Sequence, residues 1–456
     1  MLMMTCICLV NLPLNGFAES KQDSGLSTID LRDWNREHPS IYVKGKWDFY
    51  WQRLLTPDDF ISEKSVGKTG TMEIPGPWKD VKAGDTELTS KGVATYRTRI
   101  LLPSWALHTP MVLEVHEQPM AYRIWVNGQM IISSGTIADR HEESIVSPGK
   151  RWIRWTPEKD EIDVVIQGAS YFVFQGGTWA TLQIHSVDHF YLIHRHEALV
   201  SGFVVGGLLL IAIYHFIIFA LQPTVQAPLY FAIFCFIVGI RTMIIGEGEI
   251  IYDFFDNLPW WLVRKLEYLG YYFGLPVFVA FMRSLYPKEM SRKITNLVWI
   301  IGTAATIFML IAPFYYTTFT LTYYQAFTLA VVVWSTASFV RTIKHRRVGS
   351  GILIIGILVI AYTVIYDTLV AHNIIPNKIF IFHYGLMVFV LCQSTTIAMT
   401  FYTAFVKLAQ ARDKIKLLNQ HLEQLVEKRT ETIAMIINNV RSGFLLINPS
   451  FRVQEG

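Results

Sequence analysis

Seven apolar stretches follow one another between residues 199 and 405, and they limit what this chain can fold into more than any other feature. They cover residues 199–221, 229–245, 266–285, 294–312, 319–340, 352–371 and 379–405. Each is near the roughly 20 residues that a helix needs to cross about 30 Å of hydrocarbon. An odd number of crossings puts the two flanks on opposite sides of the bilayer. The charges of the connecting segments say which is which, because cytoplasmic loops carry the excess of Lys and Arg. Arg283, Lys288, Arg292 and Lys293 follow the third stretch, and Arg341, Lys344, Arg346 and Arg347 follow the fifth. The other face has Arg264, Lys265 and Lys378 beside the acidic Glu247, Glu249, Asp253 and Asp256. The N-terminal flank is therefore expected outside and the C-terminal flank in the cytoplasm.

Residues 1–18 read as a secretory signal, with an apolar core up to Phe17 and small residues Gly16 and Ala18 before a cleavage point, although a basic start is lacking. Cys6 and Cys8 fall in that signal and Cys235 and Cys392 in apolar stretches, so residues 19–190 contain no cysteine. About 170 residues suffice for a hydrophobic core without disulfides. The net charge of +4 comes with basic loops and no polybasic, aromatic-interleaved tract, which excludes nucleic acid as a partner.

The exported segment has an all-β pattern. Residues 46–51, 94–102, 111–116, 122–126, 162–167 and 181–185 alternate or run apolar, and Gly, Pro, Asn and Asp punctuate them. Asn127-Gly128 predicts a tight hairpin, because both turn positions need positive φ. Trp78, Tyr96, Arg97, Tyr122, Trp125, Phe172 and Trp179 are the ligand-stacking candidates, although most aromatics of a sandwich belong to its core. A hydrolase would need two carboxylates flanking a glycosidic bond. Glu114, Glu117, Asp139, Glu142 and Glu143 qualify by type alone, so no catalytic residue is assigned.

Among the apolar stretches, ionisable residues stand out, since charge within the bilayer is expensive and functional by default. Arg241, Glu267, Asp367 and His383 come from four stretches at similar depth, and Arg241 is expected to pair with Asp367 or Glu267. The alternative is that they staple the bundle. Gly202 and Gly206, like Gly270 and Gly274, have the spacing of close helix packing, and Pro276 is expected to kink its helix. No Lys lies in the last stretch, which excludes a retinal Schiff base.

Residues 407–432 are heptad-like, with Leu408, Ala411, Ile415, Leu418, Leu422 and Leu425 at spacings of three and four. This predicts a signalling helix that pairs with a second copy. Arg429 occupies the next core position, where a hinge or register change is expected. Residues 433–456 resemble the opening of a PAS-type or other output module. His421 reads as a solvated residue, and no kinase, cyclase or Walker signature is present.

Two resemblances sharpen this reading. Residues 45–51 (GKWDFYW), 74–78 (IPGPW), 94–97 (ATYR), 126–128 (VNG) and 175–177 (QGG) resemble landmarks of the galactose-binding-like β-sandwich of glycoside hydrolase accessory domains. Residues 241–246 (RTMIIG), 265–269 (KLEYL), 285–287 (LYP), 366–367 (YD) and 383–386 (HYGL) are similar to the bacterial seven-transmembrane receptors with diverse intracellular signalling modules. That resemblance implies a sensing domain outside, a seven-helix unit and a cytoplasmic output enzyme in cis or in trans. The expected fold is thus an N-terminal all-β sandwich or jelly roll (19–190), a seven-helix transmembrane bundle (198–406) and a cytoplasmic coiled-coil helix. The expected function is an inner-membrane receptor for an extracytoplasmic small molecule or carbohydrate, a homodimer with no cofactor and no metal. A transporter component and a membrane-anchored carbohydrate-binding scaffold are the alternatives. Uptake by reconstituted protein would favour the first of these.

Overall fold

The computed structural model describes residues 26–61, 66–178, 182–245, 249–255, 258–345, 347–371 and 381–439, the side chains of 343, 364, 367–371, 438 and 439 excepted. Residues 1–18, where a signal is expected, and residues 440–456 of the expected output module lie outside the described residues. Two compact units meet between residues 393 and 394.

The first unit opens with strands β1 (Thr28–Asp30), β2 (Ser40–Val43), β3 (Gly45–Trp51), β4 (Gly70–Ile74), β5 (Lys82–Ala83), β6 (Thr86–Glu87), β7 (Gly92–Leu101), β8 (Met111–Val115), β9 (Ala121–Val126), β10 (Gln129–Ser134), β11 (Arg151–Trp155), β12 (Glu161–Ser170) and β13 (Leu182–Ser186), with a short helix α1 (Pro57–Ile61) after β3. One sheet runs β10-β9-β12-β7-β3-β4, with β1 parallel to β7, and the other runs β11-β8-β13-β2. Their inner faces share one core. Trp47 and Phe49 of β3 point inward two residues apart and are fully buried, as the period of two requires. Leu113, Val115 and Ile184 meet them from the second sheet. Asp48, between the two aromatics, is also buried, and its carboxylate accepts from Ser27 Oγ (2.7 Å) and Lys68 Nζ (3.2 Å). Asn127 and Gly128 take φ of +48° and +84° and turn β9 into β10.

The helices are α2 (Val187–Leu221), α3 (Ala227–Ile245), the single turn α4 (Ile251–Phe254), α5 (Trp260–Leu285), α6 (Arg292–Ile311), α7 (Phe314–Lys344), α8 (Ser350–Ala371) and α9 (Phe382–Asn439). Helix α2 starts at the residue after β13, well ahead of the apolar run from Leu199, so the sandwich joins the bundle without a linker. Among the described residues, five helices are long and apolar enough to cross a membrane: α2, α3, α6, α7 and α9. In α8 the described apolar part is Ser350–Thr363. Helix α5 departs for a physical reason. It packs against α3, α6 and α7, and residues 274–282 are buried without a break. The first turns of the helix, ahead of that run, carry Arg264, Lys265 and Glu267, which find polar partners there.

Pro276 lies inside α5, and Gly302 of α6 makes room for its ring. A Cβ at Gly302 would stand 2.7 Å from Pro276 Cγ. Gly302→Val is expected to cost roughly 1–3 kcal/mol by overpacking, read as a lowered thermal midpoint of the purified membrane protein. At the end of the bundle away from the sandwich, Arg347 Nε donates to Glu289 Oε1 (2.6 Å) and the Tyr286 hydroxyl donates to the Val348 carbonyl (3.3 Å), which brings the two basic loops together.

The second unit is the remainder of α9. Leu408, Ile415, Leu418, Leu422 and Leu425 are exposed along it. Of the hinge or register change expected at Arg429, the helix shows no hinge and passes this residue without interruption, since an exposed arginine is a good helix former.

Candidate functional site

The chemistry of the molecule concentrates where the sandwich meets the helices. The loop after β8 presents Glu117, and the first turns of α5 present Arg264 and Glu267 on one face, three residues apart. Arg264 donates through Nη2 to Glu117 Oε2 and through Nη1 to Glu267 Oε2, both at 2.6 Å. Arg241 of α3 continues the chain. Its Nη1 lies 3.6 Å from Glu267 Oε1 and donates to the Glu267 carbonyl oxygen at 3.2 Å. Gly270 permits this approach, because a Cβ there would stand 3.1 Å from Arg241 Cβ. A row of alternating charges, each side chain at most 16% exposed, therefore runs from the sandwich through α5 to α3.

Burial pushes the Glu117 carboxyl up to about 7, and the nearby Glu249 and Glu267 add to this against the pull of Arg264. Desolvation outweighs Arg264 here because Arg264 is shared between two carboxylates while a third faces the same space. Burial likewise raises Glu249.

A second knot ties β8 to β13 and α2. His185 Nε2 lies 3.0 Å from Glu114 Oε2 and His194 Nε2 lies 3.5 Å from Glu114 Oε1. Burial opposes ionisation of Glu114, but hydrogen bonding with His185 and the surrounding positive charge hold it down to about 2. Burial, helped by Lys150, pulls His116 down to about 4. Nearby, Lys150 Nζ stands 3.6 Å from Glu197 Oε2, and the Lys150 backbone N–H donates to Glu249 Oε2 (3.0 Å). A third contact is aromatic. Phe172 lies against Trp260, which lies against Phe314, and Phe174 packs on Tyr315 and Phe319 while its N–H donates to Thr318 Oγ1 (3.0 Å). Among the described residues, no three His, Cys, Asp or Glu side chains are placed to hold a metal ion.

The residues singled out from sequence fall in different places. Trp78, Tyr96 and Tyr122 are core: at most 2% exposed, with Trp78 Nε1 donating to the Tyr96 hydroxyl. Trp125 is buried as well. These four correct the stacking expectation, since a ring that fills the sandwich core has no face left for a ligand. Arg97 is committed to Asp163 (2.9 Å) and lies over Phe60. Phe172 belongs to the seam, and Trp179 lies outside the described residues. Of the bilayer-depth set, Arg241 and Glu267 are together and His383 opens α9 against Tyr384. The Asp367 side chain lies outside the described residues. The residues that sequence reading passed over are Arg264, counted there as a loop charge, and Glu117, weighed there as a hydrolase carboxylate. The Arg264 and Glu267 spacing was the available signal; their partner across the seam had none.

A sandwich set directly on a helical unit of apolar helices through ion pairs defines a membrane protein with a β domain coupled to its helices. Residues 197–401 match the model of the family described as 7TM diverse intracellular signalling. No curated protein matches the chain. Among solved structures, the chain is similar to a β-glucuronidase of Faecalibacterium prausnitzii (10% identity, 32% of this chain, 31% of that chain, TM-score 0.25). It is also similar to a Bifidobacterium dentium β-glucuronidase complexed with coumarin-3-O-glucuronide (12%, 34%, 31%, 0.25). A putative β-galactosidase from Bacteroides fragilis is a third (14%, 32%, 22%, 0.23). The chain spans less than a third of each of those proteins, and likeness of this degree carries no inference about ligand or activity.

Proposed function

We propose that the chain is a bacterial inner-membrane receptor with seven transmembrane helices, its sandwich outside and its C-terminal helix in the cytoplasm. Occupancy of the exported domain by a small molecule or carbohydrate biases two arrangements of the bundle. The bias passes to residues 407–432, which pair with those of a second copy and drive a cytoplasmic signalling enzyme. The observation that carries this is the Glu117–Arg264–Glu267–Arg241 row, a continuous ionic contact from the sandwich into two helices. A receptor needs such a coupling, since a ligand shifts a population only by as much as it distinguishes the two states. The exposed Leu408, Ile415, Leu418, Leu422 and Leu425 supply an apolar stripe for the pairing.

The test is disulfide crosslinking of Leu418→Cys in a background freed of native cysteines, in membranes. Combining it with Glu117→Gln or Arg264→Gln is expected to change the crosslinked fraction several-fold. An unchanged fraction in folded variants, or no crosslinking of the parent, would reject the relay.

A further inference from the structure

Beside the ion-pair row, a cavity of about 670 Å³ opens between β11 and the segment carrying α4. Its size is that of a small-ligand site, and it lies between two elements whose relative position the receptor reading requires to change. Its walls carry both signs of charge, Lys150 and Arg151 from the sandwich side and Glu249 and Asp253 from the helical side. Two of the four are engaged within the protein. Lys150 faces Glu197, and Glu249 accepts the Lys150 backbone N–H. The other two have no ion-pair partner among the described residues. Arg151 donates to Ser147 Oγ (2.6 Å) and stands near the Tyr122 hydroxyl, and it enters no ion pair among the described residues. Asp253 is exposed at the cavity with no cation at ion-pair distance among the described residues. Trp152, Tyr252 and Trp260 supply aromatic wall, and Trp152 is 45% exposed.

An uncompensated guanidinium takes a carboxylate or phosphate through its planar fork. An uncompensated carboxylate beside aromatic faces takes an ammonium group. Both face one cavity whose four charged lining residues sum to zero. We infer that this cavity binds a zwitterion, a molecule joining an ammonium group to a carboxylate or phosphate, with the anion on Arg151 and the ammonium beside Asp253. Such chemistry is offered both by soluble amino acids and amines and by the headgroup of a zwitterionic phospholipid. Bound there, the ligand draws the α4 segment toward β11, and Tyr252 and Glu249 of that segment stand next to the Glu117–Arg264 pair. This consequence rests on the receptor reading; the binding itself does not.

The full chain in nanodiscs of phosphatidylglycerol is titrated with phosphoethanolamine and with β-alanine, read by tryptophan fluorescence and by thermal midpoint. Saturable binding of at least one zwitterion is expected, with ethanolamine alone and inorganic phosphate alone at least about tenfold weaker, equivalent to about 1.4 kcal/mol. Arg151→Gln and Asp253→Asn are each expected to weaken it by about tenfold or more. Nanodiscs containing phosphatidylethanolamine distinguish the sources: competition with the soluble probe identifies a headgroup, and its absence a soluble ligand. If neither probe saturates at millimolar concentration and phosphatidylethanolamine raises no midpoint, the inference is overturned. It is equally overturned if the single-charge probes bind as well or the variants bind as the wild type does. Since no arm uses the Leu418→Cys crosslink, failure of the relay and failure of this site are separable.

Discussion

Arg264→Leu is expected to lower the stability of the purified receptor by about 3–5 kcal/mol, the cost of leaving buried charges without their partner. Arg264 holds Glu117 and Glu267 at 2.6 Å each, so its removal strands Glu117 and leaves Glu267 with Arg241 alone, 3.6 Å away. The loss should be smaller at acidic pH, where Glu117 is protonated. It should also be partly restored in Arg264→Leu/Glu117→Gln, where the stranded charge on the sandwich side is gone. A leucine has no difficulty in an enclosed helix, so helix propensity does not account for the effect. Thermal or denaturant unfolding of the single and double variants measures the coupling. If the double variant is no more stable than Arg264→Leu, the ionic link between sandwich and helix contributes nothing.

The second large effect is in pH. Glu117 titrates near 7 in the folded protein and near 4.5 when unfolded, so between these values the native state holds a proton that the unfolded chain has released. Stability from this group is fully present below about 4.5 and lost as pH rises through about 7, a change of roughly 3 kcal/mol. His116, pulled down to about 4, works in the opposite sense between about 4 and its ordinary value of 6.5, because the unfolded imidazole is then the protonated one. The wild-type profile alone therefore mixes two trends. The difference between Glu117→Gln and wild type isolates the carboxylate, and it should favour the variant increasingly from pH 5 to pH 8. A difference that stays flat over this window would show that Glu117 is ionised throughout.

Periodicity made much of the fold readable in advance. Strand β9, its Asn127-Gly128 turn and β10 follow from alternation and turn chemistry, both of which act between near neighbours. Apolar length likewise marks α2, α3, α6 and α7. Helix α5 is the instructive case: its apolar run was visible, but its charges looked like a boundary. Two of them are instead partnered at the start of the helix, where Arg264 reaches Glu117 of the sandwich and Glu267 faces Arg241, because the neighbours of a helix are set by packing and not by its own sequence.

The candidate site was legible in half. Arg241 and Glu267 were conspicuous because a charge in an apolar stretch demands a partner, and the structure puts them side by side. The aromatic candidates misled for the converse reason, since Trp78 and Tyr96 satisfy each other's polar atoms inside the core and so need no ligand. Sequence by itself determined where the chain is apolar, where it turns and which charges are costly, all of which depend on local composition. That Glu117 meets Arg264 across 147 positions, that Arg264 is shared between two carboxylates, and that Arg151 and Asp253 face one cavity were decided by tertiary structure alone. Electrostatic energy depends on distance in space and on burial, and neither is a property of any stretch of sequence.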